Sequence, residues 1–153
     1  MYYPSHKTEP LRIKLKKDMG KDADLFTDKL KQAIEDEYKD YHFYKSMYKL
    51  TDDPLWKDFI KHAYEDEKSH YEMLQQLYYM LTGRFVQNPK KKLPCYNLKD
   101  CAKQALLGEL EGVENYKLML LSIPIQQAYN PIFIAMNDEM EHAIRMSTMY
   151  NAL

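Results

Sequence analysis

Residues 60–70 read Ile-Lys-His-Ala-Tyr-Glu-Asp-Glu-Lys-Ser-His. Residues 132–142, found 72 positions later, read Ile-Phe-Ile-Ala-Met-Asn-Asp-Glu-Met-Glu-His. Both stretches carry Asp-Glu-x-x-His: Asp66, Glu67 and His70 in the first, Asp138, Glu139 and His142 in the second. A glutamate and a histidine three residues apart share one face of a helix. One such pair is a weak signal, because both residue types are common on solvated helix faces. Two at matching positions are a strong one.

The correspondence extends outward at the same offset. Lys31-Gln32-Ala33 returns as Lys103-Gln104-Ala105, Glu37 as Glu109, Tyr44-Lys45 as Tyr116-Lys117, Met47 as Met119, and Tyr78 as Tyr150. Setting Leu25–Leu81 against Asn97–Leu153 without a gap makes fifteen of 57 pairs identical. Random pairing at typical residue frequencies gives about four. The chain therefore reads as a duplicated helical hairpin. A repeat preserved for packing alone should keep mainly apolar positions, yet this one also keeps Glu37/Glu109, Asp66/Asp138, Glu67/Glu139 and His70/His142. Buried carboxylates are costly unless compensated, and a metal cation would compensate them.

Four long segments carry helical character and none reads as a strand. The first spans roughly residues 22–50, with Leu30, Ile34, Tyr41, Tyr44 and Tyr48 near the helical period. Asp53-Pro54 is an N-cap followed by proline at the first helical position. The second helix ends near Thr82, with Gly83 as a left-handed cap. Residues 84–96 contain Pro89, Pro94 and Lys90-Lys91-Lys92 and read as a long surface crossover. Asn97 caps the third helix with Asp100 placed as in a capping box, and that helix stops before Pro124. Asn130-Pro131 predicts the start of the fourth. The predicted domains are a basic N-terminal tail over residues 1–21 and a bundle over residues 22–153. A single long crossover is the connectivity of ferritin-like four-helix bundles.

Length suits one domain with a real core. A formal net charge of −1 argues against a nucleic-acid or membrane binder. The N-terminus is polar, without the apolar run of a signal peptide. The longest apolar run, residues 118–125, is far too short to span a bilayer. A cytoplasmic protein is expected, with Cys95 and Cys101 as reduced thiols, since they form neither a CxxC nor a zinc-ribbon pattern.

Mixed oxygen and nitrogen ligands suit iron, manganese or zinc better than calcium. Glutamates from two helices joined to Glu-x-x-His from two others make the ligand set of di-iron and di-manganese carboxylate bundles. With these motifs, from Leu25 to the C-terminus, the chain resembles the rubrerythrin-type branch of the ferritin-like superfamily. The matching stretches are residues 37–44 with 66–70, and 109–116 with 138–142. By position, the resemblance implies that Glu67 and Glu139 bridge two metals, with Glu37 and His70, and Glu109 and His142, as terminal ligands. It also implies that Asp66 and Asp138 accept hydrogen bonds from ligand histidines. Tyr44 and Tyr116 lie two turns beyond Glu37 and Glu109, so each phenol is expected either to lean toward its own glutamate or to serve as ordinary core.

Two departures from the family pattern stand out. No rubredoxin-like cysteine pairs are present. The further glutamate usual three residues after the third-helix ligand is replaced by Gly112, whose first-half counterpart is Asp40, a candidate extra ligand or a solvated acid balancing Lys39 or Lys45. His6, His42 and His62 are weaker ligand candidates. The resemblance implies two iron ions (alternatively manganese), reaction with O2 or hydrogen peroxide of the ferroxidase or peroxidase type, and an external electron donor. A homodimer is expected. The alternative is a structural or partner-binding bundle, stress- or sporulation-associated, with a vestigial site.

Overall fold

In the computed structural model, residues 20–87, 90 and 92–153 are described. They form helices α1 (Gly20–Met47), α2 (Pro54–Thr82), α3 (Leu98–Leu120) and α4 (Tyr129–Ala152), with no strand among the described residues. The basic tail expected over residues 1–21 lies outside the described residues as far as residue 19, and so do Pro89 and Lys91 of the crossover.

The caps explain where the chain turns. Asp53 Oδ1 accepts from the backbone N–H groups of Leu55 and Trp56 at 2.9 and 3.2 Å, with Pro54 opening α2. These are two of the donors a helix start leaves unsatisfied. Gly83 closes α2 at φ 73°, in the left-handed region that glycine adopts without a Cβ penalty, and its N–H reaches the Tyr79 carbonyl. Asn97 Oδ1 accepts from the Asp100 N–H at 3.1 Å and starts α3.

Three expectations need correction. The first helix ends as α at Met47 and finishes in a 3-10 turn, Tyr48–Leu50. Asn130 is not a cap: a 3-10 turn at Gln126–Ala128 runs into α4, which starts at Tyr129 without a side-chain cap. Pro131 is tolerated because it falls in the first turn, where N–H groups have no intrahelical partner. Cys95 and Cys101 are not separate thiols but a disulfide, with Cα atoms 5.8 Å apart. The Asn97 cap folds the end of the crossover back against the first turn of α3 and so brings them together.

The duplication is visible in the packing. α1 packs most extensively on α2 and α3 on α4, and the two hairpins meet chiefly through α2 and α4, with lighter contact between α1 and α3. Buried side chains form two apolar clusters. One contains Leu30, Ile34, Leu74, Leu77, Tyr116, Met119, Ile132 and Ala135. The other contains Ala102, Met146, Met149, Tyr44, Met47, Ile60 and Ala63. Moving 72 residues along the chain carries members of one cluster into the other, as Leu74 to Met146 or Tyr44 to Tyr116. On all four helices the break between clusters falls at the repeated acids: after Ile34 and before Phe43 on α1, between Ala63 and Tyr71 on α2, between Ala105 and Tyr116 on α3, and between Ala135 and Met146 on α4. A polar layer therefore crosses the bundle between two apolar plugs.

Candidate metal centre

The layer is made of Glu37 from α1, Glu67 and His70 from α2, Glu109 from α3, and Glu139 and His142 from α4, all buried. Glu67 is 1 % and His142 0 % exposed. Their ligand atoms fall into two groups, Glu37-Glu67-His70-Glu139 and Glu67-Glu109-Glu139-His142, with atoms within 4.8 Å of one another in each. Glu67 and Glu139 belong to both.

Each imidazole turns one nitrogen inward and one outward. His70 Nδ1 lies 3.2 Å from Glu37 Oε2 and 3.8 Å from both Glu67 Oε2 and Glu139 Oε1. His142 Nδ1 lies 3.0 Å from Glu67 Oε1 and 3.6 Å from Glu109 Oε2. The outward nitrogens meet aspartates of the opposite hairpin: His70 Nε2 is 2.9 Å from Asp138 Oδ2, and His142 Nε2 is 3.1 Å from Asp66 Oδ2. An acid on the outer nitrogen fixes the tautomer and leaves Nδ1 for a ligand.

The tyrosines cross as well. Tyr44 donates to Glu109 and Tyr116 donates to Glu37. Each phenol passes over the glutamate of its own helix to reach the other hairpin, correcting the expected pairing. Placement along one helix constrains height but not which neighbouring helix a side chain meets.

Four inward-facing atoms, Glu67 Oε1, Glu109 Oε2, Glu139 Oε1 and His142 Nδ1, are buried without a hydrogen-bond partner. Buried polar atoms are normally satisfied, and a converging set of orphans needs an explanation. A cation with bonds of roughly 2.0–2.2 Å to nitrogen and oxygen holds its donors roughly 3–3.5 Å apart, close to the separations above. The residues present therefore fit a metal. Hard oxygens and borderline imidazoles are a first-row transition-metal set.

Charge balance agrees. Burial pushes the Glu67 and Glu139 carboxyls well above their ordinary value, and the neighbouring Glu37 and Glu109 charges add to the effect. Burial also opposes the charged forms of Glu37 and Glu109. Glu67, the His70 charge and the Tyr116 hydroxyl outweigh it for Glu37; His142, Glu139 and the Tyr44 hydroxyl do the same for Glu109. Burial disfavours the imidazolium of His70 and His142, yet the surrounding carboxylates raise both histidines. Protons thus take the place of cations.

Asp40 is not part of either ligand group. Its Oδ1 accepts from Lys92 Nζ of the crossover at 2.9 Å. That places it neither against Lys39, which pairs with Asp36, nor free in solvent. Burial raises its carboxyl to about 6, against the opposing effect of Lys92. Asp40 and Lys92 line a cavity of about 520 Å³ between α1 and α3, where the helices pack lightly; Glu37 and Glu139 form part of its wall. Gly112 lines it too, and a Cβ there would sit 2.6 Å from Glu139 Oε2. The absent glutamate thus has a structural cause: the space belongs to the Glu139 carboxylate. His62 lies on the surface, 3.5 Å from Asp66 Oδ2 and Glu141 Oε1. His42 packs edge-on against Tyr38 and Tyr41, away from the ligand groups, and His6 is outside the described residues.

Sequence reasoning missed Gln75. Buried on α2, it exchanges two hydrogen bonds with the Val86 backbone, at 2.9 and 3.0 Å, and pins the crossover to the bundle. No motif announces it; its repeat counterpart is Ser147.

Fold and site together define an all-α four-helix bundle with a buried glutamate and histidine cluster able to hold metal. No family model and no curated protein sequence matches the chain. A solved structure of a hypothetical protein from Pyrococcus furiosus is similar, with a TM-score of 0.72 at 23 % identity over 87 % of this chain and 93 % of that one. At that identity the likeness is one of fold. Among the described residues no helix is long and apolar enough to cross a membrane.

Proposed function

We propose that the chain is a ferritin-like redox protein of the rubrerythrin type that binds two metal ions, in the first instance iron, and reacts with O2 or hydrogen peroxide. The observation that carries this reading is the sharing of Glu67 and Glu139 between two otherwise separate ligand groups. Shared carboxylates are what a bridged pair requires, with Glu37 and His70 completing one ion's set and Glu109 and His142 the other's. A bound pair of redox-active ions would supply electrons two at a time by passing between divalent and trivalent states.

The chain's own residues prepare the site for that chemistry. Asp66 and Asp138 orient the imidazoles, and Tyr44 and Tyr116 hold one oxygen of each outer glutamate. The apolar clusters at both ends exclude water. The cavity between α1 and α3 gives a small polar oxidant a way in beside Glu37 and Glu139. Reducing one peroxide to two waters takes two electrons and two protons. With two ferrous ions oxidised per peroxide, an external donor must return the electrons for a second cycle.

The test is to load the chain anaerobically with Fe(II), add O2 or hydrogen peroxide in separate experiments, and follow near-ultraviolet absorbance. Oxidation of two Fe(II) per peroxide, faster than for free Fe(II) in the same buffer, is expected. Oxidation at the free-ion rate would reject the redox reading and leave a structural bundle. A Mn(II)-loaded sample evolving O2 from peroxide would instead assign the metal as manganese.

A further inference from the structure

The two hairpins share a fold but not an outer surface. On α3, Leu107, Leu110, Leu118 and Leu121 are exposed, Leu121 by 80 %. On α4, Tyr129, Phe133, Met140 and Ile144 are exposed, Ile144 by 66 %. Spacings of three and eight residues on α3, and of four and seven on α4, put each set on one stripe of its helix. The α3 stripe lies opposite the buried Glu109 and Tyr116, and the α4 stripe is turned away from the buried Glu139 and Met146. The helices are antiparallel, so Leu121 and Leu118 run beside Tyr129 and Phe133, and Leu110 and Leu107 beside Met140 and Ile144. Partly buried Leu106, Leu120 and Met136 pack against the core clusters beneath.

The first hairpin provides an internal control. Seventy-two residues earlier, the eight exposed apolar positions are Glu35, Tyr38, Ser46, Lys49, Lys57, Lys61, Lys68 and Glu72. Its seam is closed by Tyr41, Tyr48 and Tyr64, with Lys45 Nζ 5.5 Å from the Tyr41 ring and Lys57 Nζ 5.1 Å from that of Tyr48. The same backbone thus folds with a charged outer face, so an apolar one is not a requirement of the bundle.

We propose that the outer face of the α3–α4 hairpin is where a second copy of this chain docks, about a two-fold axis. Area supports a protein partner of this kind. α3 has 23 residues and α4 has 24. At 1.5 Å per residue and a spacing of roughly 10 Å, the pair presents a face of roughly 35 by 20 Å, or about 700 Å². A standard stable interface buries about 800 Å² per partner, so the face is close to the size that a two-fold contact needs. Symmetry favours a second copy: in a two-fold contact one patch serves as both partners, and an apolar stripe on an antiparallel helix pair is self-complementary. The charged first-hairpin face cannot be its counterpart. The charges around the stripes, Glu111, Lys117, Glu141 and Arg145, together with Glu114 inside the α3 stripe between Leu110 and Leu118, are of mixed sign and lack the basic bias of a membrane-surface helix. Glu114 is already paired with Lys117 at 2.5 Å.

Sedimentation equilibrium of the full chain tests the proposal, with Phe133→Lys plus Met140→Lys as the variant. These substitutions install what Lys61 and Lys68 already carry in the first hairpin. The wild type should show twice the 18.3 kDa chain mass and the variant a single mass, with unchanged helical circular dichroism and metal content. Should that pair fail to fold, Leu107→Glu plus Leu121→Lys, which copy Glu35 and Lys49, make the same test on α3. A wild type of single-chain mass at every concentration would overturn the proposal. So would a dimer that survives either well-folded variant, or a monomer that floats with neutral lipid vesicles.

Discussion

The phenol of Tyr44 on α1 donates its hydrogen bond to Glu109 on α3, in the other hairpin, and not to Glu37 on its own helix. Tyr116 returns the contact by donating to Glu37. The two phenols therefore tie the hairpins together on either side of the acid layer. Both are buried, and burial first, then the adjacent carboxylates, pushes both phenols well above their ordinary value, so they remain donors.

Tyr44→Phe and Tyr116→Phe should each destabilise the metal-free chain by about 1–3 kcal/mol, the cost of a buried acceptor left without its donor. The two losses should be similar because the environments are related by the repeat. Urea unfolding with chelator present measures both. A neutral effect at either position would show that the crossed bond does not hold in solution.

Gly112→Ala should separate stability from binding. Alanine is favoured over glycine inside a helix by about 1 kcal/mol, so thermal unfolding of the metal-free chain should occur at the same or a higher temperature. The added Cβ would stand 2.6 Å from Glu139 Oε2 and force that shared carboxylate aside, so metal affinity should fall. Unchanged affinity in a competition titration would mean that Glu139 swings away freely.

Metal binding should release protons and tighten as pH rises. His70, His142, Glu67 and Glu139 are all raised in the metal-free site, so each holds a proton to higher pH than usual and must lose it to bind a cation. Calorimetry in two buffers of different ionisation enthalpy should report about two to four protons released per chain. Binding that weakens with rising pH across the neutral range, below the onset of metal hydrolysis, would contradict this charge balance.

Much of this was legible in the sequence for a physical reason. A helix fixes spacing, so Glu67 and His70 had to share a face, and a gapless 72-residue repeat had to place Glu139 and His142 equivalently. The caps Asp53, Gly83 and Asn97 were readable because each satisfies a local backbone need. Contacts between helices were not. The sequence offers Tyr44 either Glu37 or a place in the core, and Asp40 either a metal or Lys39 and Lys45, because neighbours along a helix are visible in sequence while Glu109 and Lys92 are not. The Cys95–Cys101 bond was missed because a six-residue separation across a cap does not reveal the fold-back that closes it.

Asp40→Asn should alter the pH dependence of peroxide turnover without removing metal. Asp40 faces the cavity that reaches Glu37 and Glu139, and its partial burial raises its carboxyl to about 6. Peroxide reduction consumes protons, so the protonated acid is the useful form, and turnover should decline as pH rises through about 6. The variant should be slower at low pH, lack that decline, and still hold two metals. An identical pH profile in steady-state assays would assign Asp40 to the Lys92 contact alone.

The most direct test of the central claim is an anaerobic Fe(II) titration of the metal-free chain, with bound metal counted after gel filtration. Two otherwise separate ligand groups sharing Glu67 and Glu139 predict saturation at two ions per chain. They also predict similar losses of binding in Glu67→Ala and Glu139→Ala, because each removes a shared ligand. Saturation at one ion, no retained iron, or a full complement of two in either variant would contradict the account.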